Sequence, residues 1–226
     1  MAVHDNARVN VLAPPRAHLT VEVVYDLVCP WCYLGLRRLL RTLRARPDLA
    51  VEIAWRPFLL NPDMPRLGMA WGDYVLRKFG GEDRARRLYT TIAQVAAGEG
   101  LALDFNAIAR VPSSIEAHRL VRHAARLGAA EDLVMALFRA HFGQGRDIGS
   151  RAVLAAVAEE NAVPGAAAFL ASDAETDSVH AENLRAHRLG INGVPCFVIG
   201  GRHAIAGAQE SEVIERLLDV AALEAS

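Results

Sequence analysis

Val24-Tyr25-Asp26-Leu27-Val28-Cys29-Pro30-Trp31-Cys32-Tyr33-Leu34-Gly35-Leu36 is the stretch on which the fold turns. Its Cys-x-x-Cys closes an apolar, β-branched run (Val21, Val23, Val24, Tyr25) and opens a segment of helical period. With Pro30 as the first helical residue, where its missing N–H costs nothing and its fixed φ suits the helix, Cys29 sits at the helix N-terminus. The unpaired backbone N–H groups and the positive end of the macrodipole there favour a thiolate, the species that attacks a disulfide. Cys32, one turn later on the same face, can close a disulfide with Cys29. The pattern points to a redox dithiol. Two other readings stand beside it. A zinc site usually needs four Cys/His ligands, and the only other cysteine is Cys196, so histidines would have to complete the set. A structural disulfide is unusual in a chain of this size without a secretion signal.

Downstream, Leu36, Leu39, Leu40 and Leu43 fall at helical spacing with Arg37, Arg38, Arg41 and Arg44 between them, and Pro47 stops the pattern. The arginine run from Arg37 to Arg46 reads as a solvated helix face. Val51, Ile53 and Trp55 then alternate as in a half-buried strand. A strand–helix–strand run of this length makes a parallel pair through a crossover. From about 66 to 190 the period is helical almost throughout: Leu88, Ile92 and Val95 form one stripe, and Leu133, Leu137 and Phe138 another. Ser113 and Glu116 have capping-box spacing, and Ser150 can cap a helix carrying Val153, Leu154 and Val157. Strand chemistry returns at Cys196-Phe197-Val198-Ile199. Gly200-Gly201 then signals a hairpin turn rather than a phosphate loop, and a closing helix begins near Gln209.

The chain thus reads βαβ, a helical stretch, then ββα. The expected organisation is a flexible lead-in over 1–18, one α/β unit built from 19–65 and 190–226, and a helical insertion over 66–189. With 226 residues, 52% of them hydrophobic, the chain can bury a sizeable core. A formal net charge of −1 gives no bias towards nucleic acid or a membrane surface, and no apolar stretch approaches the ~20 residues of a membrane span. Met1–Leu19 lacks a continuous apolar region, so the expected compartment is the cytoplasm. There three cysteines suit a catalytic dithiol better than a disulfide scaffold.

Several segments are more specific than this outline. They are Tyr25-Asp26-Leu27-Val28-Cys29-Pro30-Trp31-Cys32-Tyr33-Leu34-Gly35, Trp55-Arg56-Pro57-Phe58-Leu59-Leu60-Asn61-Pro62-Asp63-Met64-Pro65, Ala117-His118-Arg119-Leu120, Gly190-Ile191-Asn192-Gly193-Val194-Pro195 and Gly207-Ala208-Gln209. Together they resemble the DsbA-like branch of the thioredoxin fold, and within it the FrnE-type thiol–disulfide oxidoreductases, over roughly residues 20–220. The resemblance implies a thioredoxin fold interrupted by a large all-helical insertion. It implies Cys29 as the attacking thiol, Cys32 as the resolving thiol, and Pro195 as a cis-proline facing them. The Val194 backbone would pair with an extended substrate, and Trp31 and Tyr33 would either rim the site or pack on the helices. The expected partners are protein or small-molecule disulfides and dithiols, with no metal or organic cofactor required and glutathione as a reductant or co-substrate. A monomer or homodimer is expected.

The chain also departs from the family pattern. Where thioredoxins and DsbA carry a buried acid, six residues before the first cysteine, stands Val23; the nearby carboxylates are Glu22, on the other strand face, and Asp26, close to the loop. Ser113-Ser114 precedes the Ala-His-Arg-Leu segment. Cys196 follows Pro195, where strand alternation turns it away from the dithiol as an apolar filler. His118 reads as a core or interface histidine. Kappa-class glutathione transferases and 2-hydroxychromene-2-carboxylate isomerases share the fold, usually with serine in place of the first cysteine, and form the enzymatic alternative. A redox-switched, chaperone-like binding module is the other.

Overall fold

The computed structural model describes residues 18–225, so nearly all of the expected lead-in lies outside the described residues. The chain opens with β1 (His18–Tyr25), α1 (Pro30–Arg44) and β2 (Ala50–Pro57). The middle holds β3 (Met69–Ala70), α2 (Trp71–Phe79), α3 (Glu82–Gly98), β4 (Arg110–Val111), α4 (Ile115–Ala125), α5 (Ala130–Phe138), α6 (Arg151–Glu160), α7 (Ala166–Ala171) and α8 (Thr176–Arg188). β5 (Cys196–Ile199), β6 (His203–Ala206) and α9 (Ser211–Ala225) complete it. Among the described residues no helix is long and apolar enough to cross a membrane.

Strands from both ends of the sequence build one mixed sheet in the order β2-β1-β5-β6. β1 lies parallel to β2, with Val23 opposite Trp55, and antiparallel to β5, with Val23 opposite Phe197 and Val24 opposite Cys196. Gly200 and Gly201 both take positive φ in the β5–β6 hairpin, as a glycine pair there allows. The period-2 pattern of β1 divides the core. Leu19, Val21, Val23 and Tyr25 pack with Leu36 and Leu39 of α1 and Ile214 and Leu218 of α9. On the other face Val24, Phe58 and Cys196 pack with Ala186 of α8.

The helical stretch differs from expectation in three places. Met69–Ala70 and Arg110–Val111 pair as a two-residue ribbon, too short to show a period; the Arg110 guanidinium bonds the Leu67 carbonyl at 2.7 Å beside it. α3 buries Ala85, Ile92 and Ala96, while Leu88 and Val95 are each 37% exposed, so of the expected stripe Ile92 faces the core and alanines complete the inner side. The Ser113 capping box does not form. Ser114 is the N-cap of α4 without a side-chain bond, because Glu116 is held by Arg119 at 2.6 Å and Arg151 at 2.9 Å. The Ser150 hydroxyl does accept the Val153 N–H, at 3.5 Å.

The arginine run is not uniformly solvated either. Arg38 is buried and donates to Glu99 at the end of α3 and to the Ala208 carbonyl, both at 2.8 Å. It thereby ties α1 to the helical stretch and to the segment leading into α9.

Candidate active site

Cys29 is the N-cap of α1, with extended backbone (φ −102°, ψ 110°), and Pro30 begins the helix. The turn before it is closed by the Cys29 N–H donating to the Asp26 carbonyl at 3.1 Å. Across from α1, the Val194–Pro195 peptide bond is cis, and the Val194 carbonyl oxygen lies 3.6 Å from the Cys29 sulfur. Pro195 is buried, and its carbonyl accepts the Gly207 N–H at 2.7 Å, fixing the Gly207-Ala208-Gln209 segment beside it. Cys29, Cys32, Pro195 and Val194 are thus brought together from two segments more than 160 positions apart.

The two thiols are free but unequal. Cys32 has no exposed surface, while Cys29 keeps 4% and is itself mostly covered. Burial, and then the Cys29 thiol beside it, pushes the Cys32 thiol well up from the ordinary range. Both thiols are thus buried, with Cys29 the less completely covered of the two. Among the described residues no group of three or more His, Cys, Asp or Glu side chains is placed to hold a metal ion.

A model of the DSBA-like thioredoxin domain matches residues 20–219. The chain belongs to that family. It is similar to a probable DsbA oxidoreductase from Streptomyces coelicolor, at 31% identity and a TM-score of 0.81, with 90% of each chain covered. The uncharacterized protein YwbO of Bacillus subtilis is 25% identical over 202 residues, covering 88% of this chain and 94% of that one. A cytosolic disulfide reductase, DsbM from Pseudomonas aeruginosa, solved with glutathione, shares the fold at 24% identity and a TM-score of 0.57, covering 91% of this chain and 96% of that chain.

Within this DSBA-like domain, Trp31 is half-buried against the main core, and Tyr33 is buried and stacked on Phe138 of α5 at 5.1 Å. Tyr33 thus belongs to packing between α1 and the helices rather than to a rim. Cys196 lies on the opposite sheet face, and burial pushes its thiol up. Glu22 also lies away from the dithiol, bonded by Arg185 at 3.0 Å and Arg56 at 3.2 Å. Burial raises the Glu22 carboxyl, but the two guanidiniums outweigh it and hold the group below the ordinary carboxylate range.

Sequence reasoning missed the partnership of Asp26 and His118. Asp26, close to the loop as expected, is fully buried, and His118 Nε2 is 3.3 Å from its Oδ1. His118 is a core histidine, as expected, but with a polar partner from the dithiol turn. A signal was available: a histidine on the apolar flank of a helix must find a hydrogen-bond partner when buried. The loop after β2 is pinned by two side-chain oxygens, the Leu60 N–H donating to the Asp26 carboxylate Oδ2 at 2.7 Å and the Leu59 N–H to the Asn183 amide Oδ1 at 2.9 Å. Tyr74 and Tyr89 also approach the site. Burial raises both hydroxyls, and the nearby Cys29 adds to it.

Proposed function

We propose that the chain is a thiol–disulfide oxidoreductase of FrnE type that works through Cys29 and Cys32 in a reducing, cytoplasmic setting. The observation that carries this reading is the pairing of a helix-capping Cys29, its sulfur 3.6 Å from the Val194 carbonyl, with a wholly buried Cys32 one turn on. The Cys29 thiolate attacks a substrate disulfide, a Cys29–substrate S–S bond forms, and the substrate S–S bond breaks with release of one thiol. Cys32 then attacks Cys29, the Cys29–Cys32 disulfide forms, and the second substrate thiol leaves. The substrate gains two electrons and the dithiol loses two. Two molecules of a thiol reductant such as glutathione return the pair to its reduced state. The reverse sequence oxidises a dithiol, and the reduction potential of the pair decides the direction. Val194 offers backbone groups to an extended substrate beside Pro195, with Trp31 on the near side.

The test is insulin reduction with glutathione, read beside chromene isomerisation. Cys29→Ser abolishes insulin reduction and Cys32→Ser accumulates mixed disulfides detectable by mass spectrometry. Full insulin reduction by Cys32→Ser removes the two-cysteine scheme. Isomerisation that persists in Cys29→Ser without any insulin reduction moves the chain to the isomerase alternative.

A further inference from the structure

Cys32 must lose its proton before it can attack, yet it is wholly buried and no acid stands at position 23 to receive that proton. The groups whose charge reaches this region are Tyr25 at the end of β1, Cys29 and Asp26 in the turn, Tyr74 of α2, Tyr89 of α3, Arg122 of α4 and His141 after α5. The tyrosines are weak acids, the Cys29 sulfur is bonded to substrate at this step, and Arg122 is a cation, so none accepts a proton at neutral pH. Burial holds His141 neutral with a pKa of about 4, which makes it a poor base.

Asp26 differs in kind. Its Oδ1 receives the Val28 N–H at 3.4 Å and faces His118 Nε2 at 3.3 Å, and its Oδ2 receives the Leu60 N–H at 2.7 Å. A carboxylate has about four lone-pair directions, so this arrangement fills both on Oδ1 and leaves one on Oδ2. The same residue's carbonyl accepts the Cys29 N–H at 3.1 Å, and the Cys29 carbonyl in turn accepts the Cys32 N–H at 3.0 Å, so acid and dithiol occupy a single turn. His118 is fully buried, stands edge-on to Tyr25 at 5.1 Å, and has no partner for Nδ1 among the described residues. With Nε2–H directed at Asp26, Nδ1 is the bare ring nitrogen. A buried carboxylate survives as an ion only when donors hold it, and His118 is the one side-chain donor among the three.

Resting on the dithiol reading, we infer that Asp26 accepts the Cys32 proton in the resolving step, with His118, from the helical stretch, as the positioning residue for its carboxylate. The Cys32 S–H bond breaks and the proton passes to Asp26 Oδ2. The sulfur electron pair forms the bond to Cys29, and the Cys29–substrate bond breaks with its pair on the departing sulfur. Asp26 then gives its proton to that thiolate. The helical stretch thereby contributes to the chemistry of a dithiol it does not carry.

The experiment is single-turnover reaction of the reduced protein with a nitrobenzoate disulfide, which releases one coloured thiol on attack by Cys29 and a second on resolution by Cys32. In D26N the deficit falls on the second phase, about 100-fold near neutral pH, the scale of a positioned base. That phase then rises about tenfold per pH unit, as a step waiting on an unassisted thiol must. The sign discriminates, because the Asp26 charge itself opposes Cys32 ionisation: if Asp26 were only a nearby charge, D26N would resolve faster. H118L, which removes the donor, slows the second phase. H118Q, which can return an N–H to the Nε2 position but cannot take up a proton, restores most of that loss. A second phase in D26N as fast as wild type, or one unaltered in H118L, overturns the inference. If D26N fails to fold by circular dichroism, H118L against H118Q decides it. Failure of the dithiol reading looks different, with no first phase in wild type or an undiminished one in Cys29→Ser.

Discussion

Gly35 and Pro195 meet so closely that a Cβ on Gly35 would stand 2.9 Å from the proline Cγ, and 3.3 Å from both the Ala208 backbone and the Phe197 ring. The absent side chain at Gly35 is what lets α1, and with it the dithiol, lie against the Val194–Pro195 segment. Gly35→Ala gains about 1 kcal/mol of helix propensity but forces overpacking against a ring, backbone and a core phenylalanine, at about 1–3 kcal/mol. We expect a net loss of about 1 kcal/mol in urea denaturation, together with slower reaction of Cys29 towards disulfides. A variant as stable as wild type would mean that the Pro195 segment yields freely.

Arg38 is the second tie between these parts. It bonds Glu99, the Ala208 carbonyl and Glu210, each at 2.8 Å, from a position with almost no solvent access. Glu99, only 10% exposed, would keep Arg41 alone if Arg38 were lost. Arg38→Met should therefore cost about 2–4 kcal/mol, chiefly through the stranded carboxylate and carbonyl. Glu210→Gln should cost little, because that carboxylate is mostly in water. Adding Glu99→Leu to Arg38→Met should recover part of the loss, since the two residues are coupled. Equal stability of Arg38→Met and Glu210→Gln would show that the clamp carries no weight.

The contrast between Arg38 and its neighbours marks what could be read in the sequence. Patterns of period 2 and 3.6 reveal which strands and helices exist and which side of each is apolar, so β1, α1, β2 and the β5–β6 hairpin were legible at Val21–Trp55 and Cys196–Ala206. The Cys29-Pro30-Trp31-Cys32 site was legible because its chemistry is local: a helix start and two thiols one turn apart. Arg38, Asp26, Asn183 and the polar partner of His118 were not. Each is a polar residue buried by a partner 60 or more positions away, and periodicity carries no record of such pairs. The inner side of α3 was misread in part for a related reason, since Ala85 and Ala96 are small enough to be buried while contributing little to an apolar stripe.

Cys196 tests whether nearness in sequence to the Pro195 segment means nearness in chemistry. It is buried with Val24, Phe58 and Ala186 on the sheet face away from the dithiol. Thiol titration of the reduced native protein should therefore count two reactive groups at most, Cys29 ahead of Cys32, with the third appearing only on denaturation. Cys196→Ala should lower stability by about 1 kcal/mol, the cost of a small cavity, and leave disulfide exchange intact. A Cys29–Cys196 or Cys32–Cys196 disulfide found by mass spectrometry under mild oxidation would contradict the geometry.

His141 sets an acid limit on the fold. It sits buried in the π-type turn Arg139–Gly143 that follows α5, with Nδ1 3.4 Å from the Arg146 carbonyl. Burial lowers its pKa from 6.5 to about 4, against the smaller opposing effects of the Arg146 carbonyl, Asp147 and Asp26. Because the folded value lies below the unfolded one, the unfolded chain takes up the proton first as pH falls. The His141 contribution is thus fully present above about pH 6.5 and is lost progressively down to about pH 4. At 1.36 kcal/mol per pH unit that interval is worth about 3 kcal/mol. The paired carboxylates Glu22, Glu99 and Glu175, whose folded values are lowered, add their own losses once pH falls into the ordinary carboxylate range and continue below it. Urea midpoints should therefore fall between roughly pH 6.5 and pH 4.5 in wild type. His141→Asn, which keeps an N–H for the Arg146 carbonyl but cannot be protonated, should flatten that interval and leave the steeper decline at lower pH. An unchanged slope in His141→Asn would assign the loss to other groups.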